Sequence, residues 1–150
     1  MSRRAGRRAL VGALALVAAG GCGGRKSPSL TRLRAQATSI CSSANVRSYR
    51  IATPTWKAGA GGFLQHGINV LSPELGRLER LAAPSSDADV YTSALNAVSA
   101  ELTALRSAVT VLKLGENPVL AYKALQHRLT PLEAQANDAW GALQIPACAG

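Results

Sequence analysis

The stretch YTSALNAVSAELTALRSAVTVL, residues 91–112, decides the fold. Tyr91, Leu95, Val98, Leu102, Leu105, Val109 and Leu112 recur at alternating steps of four and three. That spacing places them on one face of an α-helix. Ser86 or Asp87 precedes the seam as an N-cap, and Gly115 follows it as a stop. The other faces are mostly Ala, Ser and Thr, with Glu101 and Arg106 as the main charges. Such a face lets a second helix approach closely, so it is a candidate contact surface for a protein partner.

The same rhythm extends on both sides. Asn117-Pro118 reads as N-cap and first helical residue. Behind it Tyr122, Leu125, Leu129, Leu132, Ala136 and Leu143 predict a further helix, bent at Pro131. Upstream, Leu64, Ile68, Leu71, Leu75 and Leu78 predict a helix over 63–81. Pro73 should kink it there or restart it with Ser72 as N-cap. Leu30, Leu33, Ala37, Ile40 and Ala44 predict a first helix over 30–46, with Cys41 beside the seam. Residues 48–62 read as a loop, because Pro54, Gly59, Gly61 and Gly62 break the pattern. Trp56 is expected to fold back from that loop onto the bundle. Gly59-Ala60-Gly61-Gly62 is a hinge and not a phosphate loop, since no strand precedes it and no Gly-Lys-Ser/Thr follows. With no alternating strand pattern, the chain predicts an all-α fold. The expected architecture is an antiparallel four-helix bundle with kinked helices, over 30–150.

Ahead of the bundle the character changes. Arg3, Arg4, Arg7 and Arg8 precede an uncharged apolar run over 9–19, followed by small residues. That is the layout of a secretory signal, and the run is too short for a membrane span of roughly 20 residues. Ala19-Gly20-Gly21-Cys22 resembles the lipid-attachment motif of bacterial lipoprotein precursors, with Ala19 where Leu is usual. The resemblance implies a signal peptide over 1–21, cleavage before Cys22, and acyl chains such as palmitate on Cys22. The protein would then be anchored on the outer face of the cell membrane. Two acyl chains hold stably where one is marginal. Residues 22–29, rich in Gly and Ser, form a short flexible tether. Ordinary cleavage after Val17-Ala18-Ala19 is the competing outcome, and it yields a soluble secreted protein starting at Gly20. Arg7-Arg8-Ala9-Leu10-Val11 resembles a twin-arginine signal, so export runs by that route or the general one.

The anchor settles the cysteine count. Cys22, Cys41 and Cys148 are an odd number for an exported chain. Lipidation removes Cys22, and an oxidising compartment then pairs Cys41 with Cys148. Redox chemistry is not expected, because a close Cys-x-x-Cys pair is absent from the sequence. Composition and cysteine placement are similar to small, uncharacterised helical lipoproteins of high-GC Gram-positive bacteria. In those, a first-helix cysteine and one near the C-terminus recur around an Ala/Leu-rich bundle. The resemblance implies no activity.

The net charge of +9 is unevenly spread. Arg25, Lys26, Arg32, Arg34, Arg47, Arg50 and Lys57 lie in a stretch without Asp or Glu, whereas the chain from Ala58 onward is slightly acidic. Arg25, Lys26, Arg32 and Arg34 therefore form a basic cluster beside the anchor. Each contributes of order 1 kcal/mol when close to anionic headgroups. Nucleic acid is not an expected partner, because no aromatic side chains interleave with the cluster to stack on bases.

Chemistry is sparse elsewhere. His66 and His127 fall off their helix seams and are expected toward solvent. A zinc site from Cys41, His66, His127 and Cys148 has no ligand spacing in its favour and competes with the disulfide. Serines lack an elbow motif, and Asp87 and Asp89 read as partners of a helix start. No catalytic residue, metal or cofactor is expected. The reading is a non-catalytic binding or structural module of the envelope, with the third helix as its protein contact. The alternative is a carrier whose apolar ligand sits in a core cavity lined by Phe63, Tyr122 and Trp140.

Overall fold

The computed structural model describes residues 28–55 and 59–149. The signal segment, Cys22, Arg25, Lys26, most of the tether, Trp56 and Lys57 lie outside the described residues. The rest is a helical bundle of α1 (Leu30–Ser48), α2 (Ala60–Leu78), α3 (Ala88–Lys113) and α4 (Pro118–Ala142), closed by a 3₁₀ turn at Pro146–Cys148. No strand occurs among the described residues.

The helix ends follow local chemistry. Ser29 Oγ accepts from the Arg32 amide at 3.3 Å and caps α1. Asn117 Oδ1 accepts from the Val119 amide at 2.9 Å, with Pro118 in the first turn of α4. α2 departs from expectation: it occupies Ala60–Leu78 and not 63–81, so Ala60, Gly61 and Gly62 are helical and not loop. Gly61 and Gly62 carry the entropic cost of a helical glycine, while Ala60 and Leu64 of the same turns are buried. At the other end Tyr91 Oη donates to the Leu78 carbonyl at 2.7 Å and satisfies a terminal acceptor. α2 is one helical element through Pro73, with no restart at Ser72.

α3 and α4 end in the same backbone motif. Gly115, at φ 88°, donates to the Leu112 carbonyl, and Glu116 donates to Val111. Gln144, at φ 58°, donates to Gly141, and Ile145 donates to Trp140. This is the double-bonded turn in which a left-handed residue reverses the chain after a helix. The turn at Gln144 buries Ile145 completely and sends the last residues back across α1. There Cys148 forms a disulfide with Cys41, their Cα atoms 5.1 Å apart. Arg34 Nε donates to the Leu143 carbonyl at 2.7 Å, and Asn45 Nδ2 donates to Ala147 at 3.0 Å.

Trp140, Leu33, Leu78, Leu143, Ile145 and Cys41 are the largest fully buried side chains. The Tyr91 and Trp140 rings meet edge to face, 5.9 Å between centroids. Tyr91, Val98, Leu102 and Val109 of the expected α3 seam are buried, and Leu95, Leu105 and Leu112 pack partly buried against them. The core also takes in Ala94, Ala97, Ala104 and Ala108. The alanines of the small-residue face therefore point inward. Between its charged ends, Asp89 and Lys113, α3 leaves Thr92, Asn96, Ser99, Thr103, Arg106 and Thr110 to solvent.

Candidate functional site

Burial of a carboxylate is unfavourable enough that its position is informative. Glu74 of α2 is 9% exposed, the one buried charged side chain among the described residues. It lies between Leu71, Leu75 and Leu78, on the apolar face of its own helix. Glu101 of α3 occupies the equivalent slot between Val98, Leu102 and Leu105 and is half-buried. Helical spacing thus sends both carboxylates toward the core.

They meet at a cavity of 320 Å³. Its wall draws on every helix and on the C-terminal turn: Cys41 and Asn45, Leu71 and Glu74, Val98 and Glu101, Glu133 and Asn137, Trp140 and Cys148 among others. Burial pushes the Glu74 carboxyl up to about 7, opposed in part by the Arg47 charge and assisted by Glu101. Burial likewise pushes Glu101 up to about 7, with Glu133 adding like-charge repulsion. Both acids are therefore poised between neutral and ionised near neutral pH. Two buried donors face no protein acceptor: Trp140 Nε1, on the cavity wall, and Arg47 Nη2. Arg47 Nη1 donates to Ser43 Oγ at 3.0 Å.

The arrangement combines negative charge, an aromatic wall and an unpartnered indole donor around one cleft, with Glu74 and Trp140 buried at its base and Glu133 and Asn45 exposed at its rim. Metal chelation is not what it offers: among the described residues no three His, Cys, Asp or Glu side chains are grouped to hold an ion. Cys41 and Cys148 are joined to each other, and His66 and His127 are exposed.

The cavity differs from the apolar one expected. Phe63, Tyr122 and Trp140 do not share it. Trp140 lines the acidic cavity, Tyr122 borders a separate groove with Pro54 and Val119, and Phe63 packs half-buried against the core. Burial raises the Tyr122 phenol, whose Oη donates to the Ala60 carbonyl at 3.4 Å. Of the basic cluster, Arg32 is exposed, while Arg34 is held against Leu143.

Pairwise reading along single helices misses Glu74, Glu101 and Glu133, because each acid sits on a different helix. The available signal is the repeated quartet: Leu71-Glu74-Leu75-Leu78 and Val98-Glu101-Leu102-Leu105 each put a glutamate at the i+3 slot of an apolar i, i+3, i+4, i+7 face. No family model, no curated protein and no solved structure matches this chain.

Proposed function

We propose that this protein is an exported lipoprotein, held on the outer face of the cell membrane through Cys22, whose bundle is a non-catalytic binding module. The observation that carries the binding reading is the cavity. Two carboxylates with raised proton affinity and an unpartnered buried indole converge there, and perturbed groups gathered in a concave site are a common mark of a functional one. The anchor rests on the signal-like segment and on cysteine use: Cys41 and Cys148 pair, which leaves Cys22 as the third. No helix of the described residues is long and apolar enough to cross a membrane.

In this reading the helices run antiparallel, with Pro73 and Pro131 bending α2 and α4. Hydrogen bonds from Tyr91 to Leu78 and from Gln135 to Ser93 support that order. Arg25, Lys26 and Arg32 face the headgroups, and Arg34 contributes mainly to the clasp on Leu143. The exposed Ser/Thr stripe of α3 is the surface left for an envelope partner. A purely apolar cargo is less favoured, since desolvated carboxylates line the available space.

Intact mass of the protein extracted from host membranes, with and without reduction, tests the anchor. A mass starting at Cys22 with two or three acyl chains, rising by two hydrogens on reduction, is expected. An unacylated mass starting at Gly20 refutes the tether and favours a secreted protein.

A further inference from the structure

The geometry points to a ligand class: we propose that the cavity among α1–α4 binds a small aliphatic ammonium compound that also carries a hydroxyl or carbonyl oxygen. The ammonium lies among Glu74, Glu101 and Glu133, and the oxygen accepts from Trp140 Nε1–H. The inference rests on the binding-module reading but not on the lipid anchor.

Charge comes first. Glu74, Glu101 and Glu133 reach the wall from α2, α3 and α4. The facing cation is Arg47 of α1, which acts on Glu74. Glu101 takes like-charge repulsion from Glu133, and no Lys or Arg lines the cavity to supply a positive group there. An ammonium supplies it, and its compact charge and multiple donors suit carboxylates spread over three helices better than a point metal ion does.

Trp140 supplies an independent constraint. It is fully buried, it forms part of the wall, and its Nε1–H has no protein acceptor. A buried donor left without a partner costs about 1–3 kcal/mol. A cation alone does not relieve that, whereas a ligand oxygen does. The cavity, 320 Å³, is at the small end for ligand sites, which limits the ligand to a compact molecule.

Proton coupling follows. Near pH 7 Glu74 and Glu101 are part protonated, and an ammonium stabilises their ionised forms. Binding therefore releases protons and weakens as pH falls below about 6, with Arg47 and Glu133 the other charges facing the site.

The test uses the full chain in detergent with Trp56→Phe, so that Trp140 alone reports by fluorescence. The probes are 1,3-diamino-2-propanol, 1,3-diaminopropane and glycerol, titrated at pH 7.5 with parallel calorimetry. Saturable binding of the amino alcohol is expected, with proton release, weaker binding of the diamine and none of glycerol. Glu101→Gln should weaken the amino alcohol about tenfold or more, and Glu133→Gln less. Thermal melts accompany both variants, and the isosteric change at Glu101 is expected to preserve the fold. Failure of every amine to perturb Trp140, equal binding of glycerol, or unchanged affinity in both folded variants overturns the proposal. None of these outcomes alters the mass of the membrane-extracted protein, which judges the anchor separately.

Discussion

α3 and α4 meet through small side chains, whereas α1, α2 and the C-terminal turn border a polar cavity. On the α3–α4 side Ala94, Ala97, Ala104, Ala108, Ala136 and Ala139 are buried. Helix backbones can approach closely there, and the space left beside Ala104, Ala108 and Leu125 is a small cavity of 90 Å³. Toward α1 and α2, Glu74 stands where Leu would fill the seam, Asn45 lines the wall, and a 320 Å³ cavity opens that α3 and α4 also line. All four helices share the buried core, but α1 is also tied to the C-terminal segment by the Cys41–Cys148 bridge and by the Arg34 and Asn45 bonds. A cavity removes packing, and the covalent clasp adds a constraint beside it.

The largest effect should come from cutting that clasp. Cys41 and Cys148 are 107 residues apart. The chain-entropy model assigns about 4–5 kcal/mol to a loop of that size, a large share of the roughly 5–15 kcal/mol typical of a domain. The double variant Cys41→Ala/Cys148→Ala should lose stability on that scale in urea titrations. If the clasp serves mainly the cavity side, hydrogen exchange will rise in α1 and the last residues while α3 and α4 keep their relative protection.

Filling the close seam is next. Ala97 is 1% exposed, so Ala97→Leu has no volume to enter and should destabilise by about 1–3 kcal/mol. Val70→Leu at the cavity wall adds a smaller volume beside open space and should be nearly neutral. Equal losses at the two positions would show that the cavity side is as tightly packed as the other.

How the two sides read in the sequence differs for the same reason. The α3 seam is legible because a two-sided apolar helix repeats one signal over its whole length, and Gly115 and Asn117-Pro118 punctuate it. The ends of α2 are less legible: its start runs through glycines that usually mark loops, and its last carbonyl takes a hydrogen bond from Tyr91 on another helix. The cavity is least legible. Its carboxylates belong to three helices, and only packing brings them together. The glutamate inside each apolar quartet is the local trace they leave.

Titration separates the two sides further. Glu74 and Glu101 have folded values of about 7 against an ordinary 4.5. Between those values the folded state holds more protons than the unfolded one, so stability is fully present below pH 4.5 and is lost as pH rises through about 7. Glu101→Gln removes one such group. It should be more stable than the parent by about 1–2 kcal/mol at pH 8, a figure reduced for partial exposure, and nearly equal at pH 4.5. Chemical denaturation at the two pH values checks this. A parent more stable at pH 8 than at pH 5 would contradict the desolvated placement of both acids.

The smallest expected effect compares the two helix stops, the one at the end of α3 and the one that leads into the clasp. Gly115 ends α3 in the left-handed conformation, where a residue without Cβ is unstrained. Gln144 ends α4 in the same conformation with a Cβ, and it makes the same pair of backbone bonds. Gly115→Ala should therefore destabilise by about 1 kcal/mol, and Gln144→Gly should stabilise by up to about 0.5–1 kcal/mol, both read as shifts in melting midpoint. The Gln144 turn also aims the chain at Cys41. In the oxidised protein the bridge already limits where that segment goes, so the gain from glycine should be smaller oxidised than reduced. An equal gain in both states would mean that the turn sets the path of the C-terminal segment before the disulfide closes, and that the clasp fixes a geometry the helix end has already chosen.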